Sequence, residues 1–470
     1  IISISKSNSQ INRSEIPKSG PPPLINFGIP KEFKLKNGIT LMVVENDKLP
    51  RVSISLRFDN EPFVEKNKAG VLNLISKMMG KGSKKIPKNN FEEEIDFMGA
   101  SLNFTSSNAS GSCLSRFFPR FFKLIADATL NPKFLEEEFE KEKEKLLESL
   151  KANENDVKAN ARKVENILLY GKLHPNGEFA SEKTINDITL DDIKKLYYNR
   201  FNPENCYVII VGDISFQKAK KMTTELMGDW KGREKSISKF PKAKNFNELE
   251  IAFVEMPNAV QSEISVLRTM EVNRNSKDYF SLLIANQILG GGAEARLFMN
   301  LREDKGYTYG SYSRLSISNK TKSRIRAFAA VRNQVTDSAA IEILSELERI
   351  SKEPVSNSEL NLVKKKYAGS LIRSMEDPGN IANFAYNIKT EELPLNFYND
   401  LLKNIEKISP QDITNVSKKY LRSKNMLLVI TGKGADILES IEEIEFNERK
   451  LKVNYYNKDG YSIDRPKYDN

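Results

Sequence analysis

Ile188-Thr189-Leu190-Asp191-Asp192-Ile193, followed by Asn205-Cys206-Tyr207-Val208-Ile209-Ile210-Val211-Gly212, decides the fold, because the pattern returns about 220 residues later. The second copy reads Ile408-Ser409-Pro410-Gln411-Asp412-Ile413, then Asn425-Met426-Leu427-Leu428-Val429-Ile430-Thr431-Gly432. In each copy a Thr or Ser stands three residues before an Asp, an acidic form of the capping box that opens a helix. An apolar run of buried-strand length follows, and a glycine turns the chain out of it. Cap, helix, strand and glycine recurring together predict two α+β lobes of one fold.

Outward from the first copy, Asn37-Gly38 lies between strand-like residues 33–35 and 40–45 and reads as a hairpin turn. Residues 51–58 alternate and predict a half-buried strand; 69–79 predict a helix; 101–105 and 110–115 predict a second hairpin. Residues 117–129 and 139–151 read as helices. In the second half, 251–255, 262–268 and 326–331 predict strands, and 279–289, 338–350 and 358–373 helices. The expected divisions are an extended Pro-rich arm at 1–28, a first lobe at 29–232, and a Lys/Pro/Ser-rich linker at 233–249. A second lobe at 250–445 and a polar tail at 446–470 complete them.

Hydrophobic residues make up 39% and charged residues 29% of the 470, an ordinary globular balance. No apolar run approaches the roughly 18 residues of a membrane span. The net charge is +10, but lysine is scattered and often beside Glu. Without a dense basic stripe interleaved with aromatics, nucleic acid is not the expected partner. Cys113 and Cys206 each fall in an apolar strand pattern, which suits two buried thiols and leaves a disulfide open. His174 is the single histidine and sits in a loop by composition, Leu173-His174-Pro175-Asn176-Gly177.

That count bears on Asn73-Leu74-Ile75-Ser76-Lys77. Asn73, Ser76 and Lys77 share one helical face at i, i+3 and i+4. His, Glu and His at these places would make H-x-x-E-H, in which two imidazoles grip zinc and the carboxylate serves as general base. Asn is a poor zinc ligand, Ser is no base at neutral pH, and Lys offers only donors. A site needing two imidazoles cannot be built from one histidine.

The chain resembles the pitrilysin/insulinase family of inverzincin metallopeptidases, in its non-catalytic subunit type, over roughly residues 30–445. The resemblance rests on Leu35-Lys36-Asn37-Gly38-Ile39, the altered helix, residues 142–149, Leu289-Gly290-Gly291-Gly292, and the run from Arg296-Leu297-Phe298 to Gly306-Tyr307-Thr308-Tyr309. It implies a half-clamshell of two homologous lobes, each a mostly antiparallel sheet with helices packed on it. It also implies that a later helix would bring the third zinc ligand. Ser149 falls on that position, with Glu148 one residue away and Glu142 on the family's earlier glutamate. Read from the residues alone, all these glutamates are a solvated helix face. No metal or cofactor is therefore expected.

Family members place an Arg and a Tyr, seven residues apart, against the bound peptide. Arg302 and Tyr309 match that spacing. Read without the family, the same two could be an ion-paired arginine and a packed tyrosine. The glycine run at 290–292 is either a peptide-contacting loop or a helix stop. Residues 12–23 resemble the arm of periplasmic members from Bacteroidetes-type bacteria, which implies an extracytoplasmic location. The function implied is an inactive partner subunit of a zinc-bearing family peptidase, handling peptide or unfolded polypeptide. The alternative is a non-proteolytic scaffold or binding subunit of a larger cell-envelope assembly.

Overall fold

The computed structural model describes residues 30–233 and 239–468. The expected arm at 1–28 lies outside the described residues. Among the described residues thirteen strands form two sheets. The first contains β1 (Lys31–Lys34), β2 (Thr40–Glu45), β3 (Arg51–Phe58), β4 (Ser101–Thr105), β5 (Asn108–Leu114) and β6 (Cys206–Gly212), in the order β1-β2-β6-β3-β5-β4. The second contains β7 (Glu250–Glu255), β8 (Gln261–Met270), β9 (Thr308–Ser316), β10 (Ser323–Arg332), β11 (Leu427–Gly432), β12 (Val453–Tyr456) and β13 (Ser462–Ile463). Its order is β13-β12-β7-β11-β8-β10-β9.

The repeat read from the sequence extends to the whole topology. β2, β6, β3, β5 and β4 occupy the places that β7, β11, β8, β10 and β9 occupy in the other sheet. In each, the strand carrying the repeated apolar run pairs parallel with one neighbour and antiparallel with the other. Both capping boxes form: Thr189 Oγ1 accepts from Asp192 N at 3.3 Å, and Ser409 Oγ accepts from Asp412 N at 3.2 Å. Two mostly antiparallel sheets, each backed by its own helices, make a two-lobed α+β protein.

The lobes are tied by an exchange of helices. Val157–Tyr170, from the first lobe, lays Val164, Leu169 and Tyr170 on Ala252, Val254, Leu267, Leu427 and Val429 of the second sheet. Pro378–Thr390, from the second lobe, lays Ala382 and Ala385 on Met42 and Ile209 of the first. Each sheet is thus covered on one face by its own helices and on part of the other by its neighbour's.

One expectation is corrected. Residues 446–470 were expected to be a polar tail, yet β12 pairs parallel with β7 and β13 with β12. The reason is local. Val453 and Tyr455 pack on the second core, while the Asn454 amide donates to Glu250 Oε2 at 2.8 Å. The described part of the linker, 239–249, has no regular secondary structure but is packed down. Ala243 and Leu249 are buried, and the Asn245 side chain bonds both ways with the backbone of Thr269.

Candidate functional site

In the helix Val71–Met78, Val71, Leu74, Ile75 and Met78 are buried, which turns Asn73, Ser76 and Lys77 to the opposite face. Asn73 and Lys77 are exposed. The Ser76 hydroxyl donates to Leu72 O at 2.7 Å and accepts from Ser106 N at 2.9 Å, so it fastens the helix to the β4–β5 turn. The helix Glu136–Asn153 packs beside it. There Glu142 is buried, with Lys145 Nζ at 3.1 Å and Lys81 Nζ at 3.4 Å. Burial by itself would raise the Glu142 pKa; the two ammonium groups outweigh it and the net direction is down. Its charge is committed to lysines. Glu148 and Ser149 face solvent on the same helix. Among the described residues no three His, Cys, Asp or Glu side chains come together as a metal site.

His174 belongs elsewhere. Its ring is 2% exposed, stacked on Tyr170 at 4.9 Å and met edge-on by Phe240 at 4.8 Å, and Nδ1 accepts from Asn176 N at 3.0 Å. Burial lowers its pKa from the ordinary 6.5. The unfolded chain therefore takes up this proton first. The neutral ring's contribution to stability is complete above about 6.5 and is lost as pH falls below it. Because the chain has one histidine, a single imidazole resonance should titrate with a midpoint below 6.5. A midpoint above 6.5 in an NMR titration would contradict the burial.

Cys113 and Cys206 are free and buried, and burial pushes the Cys113 thiol up to about 11. Both β5 and β6 pair with β3, where Cys113 stands opposite Val52 and Cys206 opposite Phe58. That offset of several residues along a strand, at about 3.3 Å each, is far beyond disulfide reach.

Arg302 and Tyr309 are both at the surface of the second lobe. The helix from Arg296 passes into a π-helical turn, Met299–Asp304, which contains Arg302. Such turns cost hydrogen-bond geometry and recur at functional sites. This one is held from beneath. The Asn300 amide donates to Glu342 Oε2 and Glu346 Oε1, both at 2.9 Å, and Arg296 makes a bidentate pair with Glu359 at 2.8 Å. Gly306, at φ +64°, then reverses the chain into β9. The register of β9 on β10 slips between Ala329 and Val331, so Tyr309 and Gly310 together oppose Ala330 in a bulge. Tyr309 is 87% exposed on this edge strand.

The packed-tyrosine reading therefore fails. Arg302 lies 4.8 Å from the Phe298 ring and 3.5 Å from the exposed Glu303, a pair worth little in solvent. The ion-paired arginine of this motif is Arg296. Gly290 is explained by packing: a Cβ there would lie 2.1 Å from Ser313 N, so the helix Tyr279–Gly290 stops against β9.

The order of these elements is that of a peptidase family, and residues 41–169 match the description "Insulinase (Peptidase family M16)" while 187–367 match "Peptidase M16 inactive domain". Together the two matches span more than half of the chain, and the protein belongs to the M16 family. It is 23% identical over 403 residues to the non-peptidase homolog YmxG of Helicobacter pylori, covering 83% of this chain and 91% of that one. The solved peptidase M16 inactive domain from Pseudomonas fluorescens superposes with a TM-score of 0.77 at 22% identity, covering 86% and 97% of the two chains. The periplasmic protease PqqL from Escherichia coli superposes with a TM-score of 0.69 at 16% identity, covering 90% of this chain and 51% of that one.

Proposed function

We propose that this chain is a catalytically inactive M16 homologue that partners a zinc-bearing family member and lends it Arg302 and Tyr309. One contrast carries the reading. The face where a zinc site would stand offers Asn73, Lys77, Ser149 and a lysine-bound Glu142, whereas Arg302 and Tyr309 stand exposed on a π-turn and a bulge held rigidly from behind. The name of the Helicobacter relative, a non-peptidase homolog, agrees with an inactive chain. The fold likeness to about half of PqqL supports a protein that is one half of a clamshell. PqqL is described as periplasmic, which supports an extracytoplasmic location. Guanidinium and phenol are both donors, suited to a peptide carbonyl or to its oxygen as it gains negative charge.

The pairing is tested by mixing the chain with a His-bearing M16 protein and measuring peptide turnover. The mixture should exceed the sum of the separate proteins. Equal rates, with native purification recovering envelope components and no M16 peptidase, would favour a scaffold instead. A second test concerns the metal face. As it stands the purified chain should retain far less than one zinc per molecule. Changing Asn73→His, Ser76→Glu, Lys77→His and Ser149→Glu together should bring this to about one, read by metal analysis after dialysis. Stoichiometric zinc in the unaltered chain would refute the inactive assignment.

A further inference from the structure

We infer that a cleft on the first lobe, which shares no lining residue with either face discussed above, binds a small organic anion carrying an aromatic ring. The cleft lies between the end of the helix Phe118–Leu130, the helix Leu190–Arg200 and the segment 230–233, and encloses about 580 Å³. That is the size of an ordinary small-ligand pocket.

Its lining is one-sided in charge. Lys84, Lys133, Lys194, Lys231 and Arg233 surround it, and among the described residues no Asp or Glu lines it. Some other lysines of this lobe are paired, as Lys81, Lys88 and Lys145 are with Glu138 and Glu142. Among the described residues none of the five cleft cations has a carboxylate partner. Cations of one sign around a low-dielectric wall focus the field and concentrate anions.

The wall itself is aromatic. Tyr197 stacks on Phe201 at 5.1 Å and meets Phe134 edge-on at 5.6 Å, and Arg233 lies over the Tyr198 ring at 3.7 Å. Trp230 lines the same space, its own ring edge-on to Phe58 at 6.0 Å. The wall is fixed before any ligand arrives. Tyr197 Oη donates to Thr129 O at 2.7 Å, and the Asn37 amide donates to Trp230 O at 3.0 Å and Met227 O at 2.8 Å. Rings to stack on and cations to pair with suit a ligand possessing both parts, such as a nucleotide or an aromatic carboxylate.

Trp230 is the only tryptophan in the chain, so its fluorescence reports on this cleft alone. The full chain is titrated at low salt with adenosine 5′-monophosphate, phenylacetate, adenosine and inorganic phosphate. One of the two aromatic anions should give a saturable change at least tenfold tighter than adenosine or phosphate, and which one does so identifies the source of the ligand. Raising the salt should weaken it. Lys133→Gln with Lys194→Gln, both exposed positions, should weaken it at least tenfold. No saturable change with either anion, adenosine binding as tightly as its monophosphate, or unchanged affinity in the double variant would each overturn the inference.

Discussion

Arg302→Ala and Tyr309→Phe should each lower peptide turnover by at least tenfold when this chain is mixed with a zinc-bearing M16 partner. Tenfold corresponds to about 1.4 kcal/mol of transition-state stabilisation. Neither change should disturb folding. Tyr309 is 87% exposed, and Arg302 has the exposed Glu303 and the Phe298 ring beside it. Surface substitutions of this kind usually stay within about 0.5 kcal/mol. Loss of turnover at unchanged stability would therefore report on contact with substrate. The conservative variants sharpen the result. Arg302→Lys keeps the charge but loses the planar fork, and should recover only part of the rate. Tyr309→Phe keeps the ring, so a fall in kcat with little change in KM points to the hydroxyl donating in the transition state. Arg296→Lys is a useful contrast. It would weaken the bidentate pair with Glu359 that supports the π-turn, and should lower both stability and turnover. If turnover with Arg302→Ala and Tyr309→Phe equals that of the unaltered mixture, the proposed contribution is removed.

What the sequence could disclose followed the range of each interaction. The two capping boxes and their apolar runs are local signals, and they predicted a repeat that the strand order then extended to both whole sheets. The spacing of Arg302 and Tyr309 was equally legible. The devices that expose them were not, because the π-turn depends on Glu342, Glu346 and Glu359 far along the chain, and the bulge is a matter of register with β10. The helices Val157–Tyr170 and Pro378–Thr390 carry no such local signal. Each buries its apolar residues on the sheet of the other lobe, and Ala382 and Ala385 make only a faint stripe. β12 was hidden in the same way. Its few apolar residues sit among Asn and Lys, and its partner β7 lies some 200 residues earlier. The glutamates of 136–153 looked like a solvated face, and for Glu142 that was wrong: it is buried between lysines.

Breaking the ion pair between the lobes should cost more stability than any surface change. Glu165, on the exchanged helix Val157–Tyr170, is 1% exposed and pairs with Arg326 of β10 through two bonds of 2.7 and 2.8 Å. The Ser265 hydroxyl donates to the same carboxylate at 2.7 Å, and the Arg326 guanidinium lies 4.2 Å from the Phe328 ring. Glu165→Ala removes both carboxylate oxygens to which the buried Arg326 guanidinium donates, which is expected to cost about 3–5 kcal/mol. Because Glu165 belongs to one lobe and Arg326 to the other, the loss should be accompanied by faster hydrogen exchange along 157–170, ahead of global unfolding. The first-lobe counterpart is weaker. There Arg57 donates to Asn383 Oδ1 at 2.5 Å and lies 5.1 Å from the Tyr386 ring, with no carboxylate in the contact. Asn383→Ala should therefore cost less, on the order of 1–3 kcal/mol for a hydrogen bond to a charged group. Glu165→Leu combined with Arg326→Met separates the two origins of the effect. If the penalty comes from a stranded charge, the apolar pair should restore most of the stability lost by Glu165→Ala, since replacing a buried pair with packed hydrophobic residues is often neutral or better. If the double variant is as unstable as the single one, the bidentate geometry itself holds the lobes together. Urea unfolding of the three chains decides between them, and a loss below about 1 kcal/mol for Glu165→Ala would show that water reaches the pair and that the exchanged helix is not the clasp between the lobes.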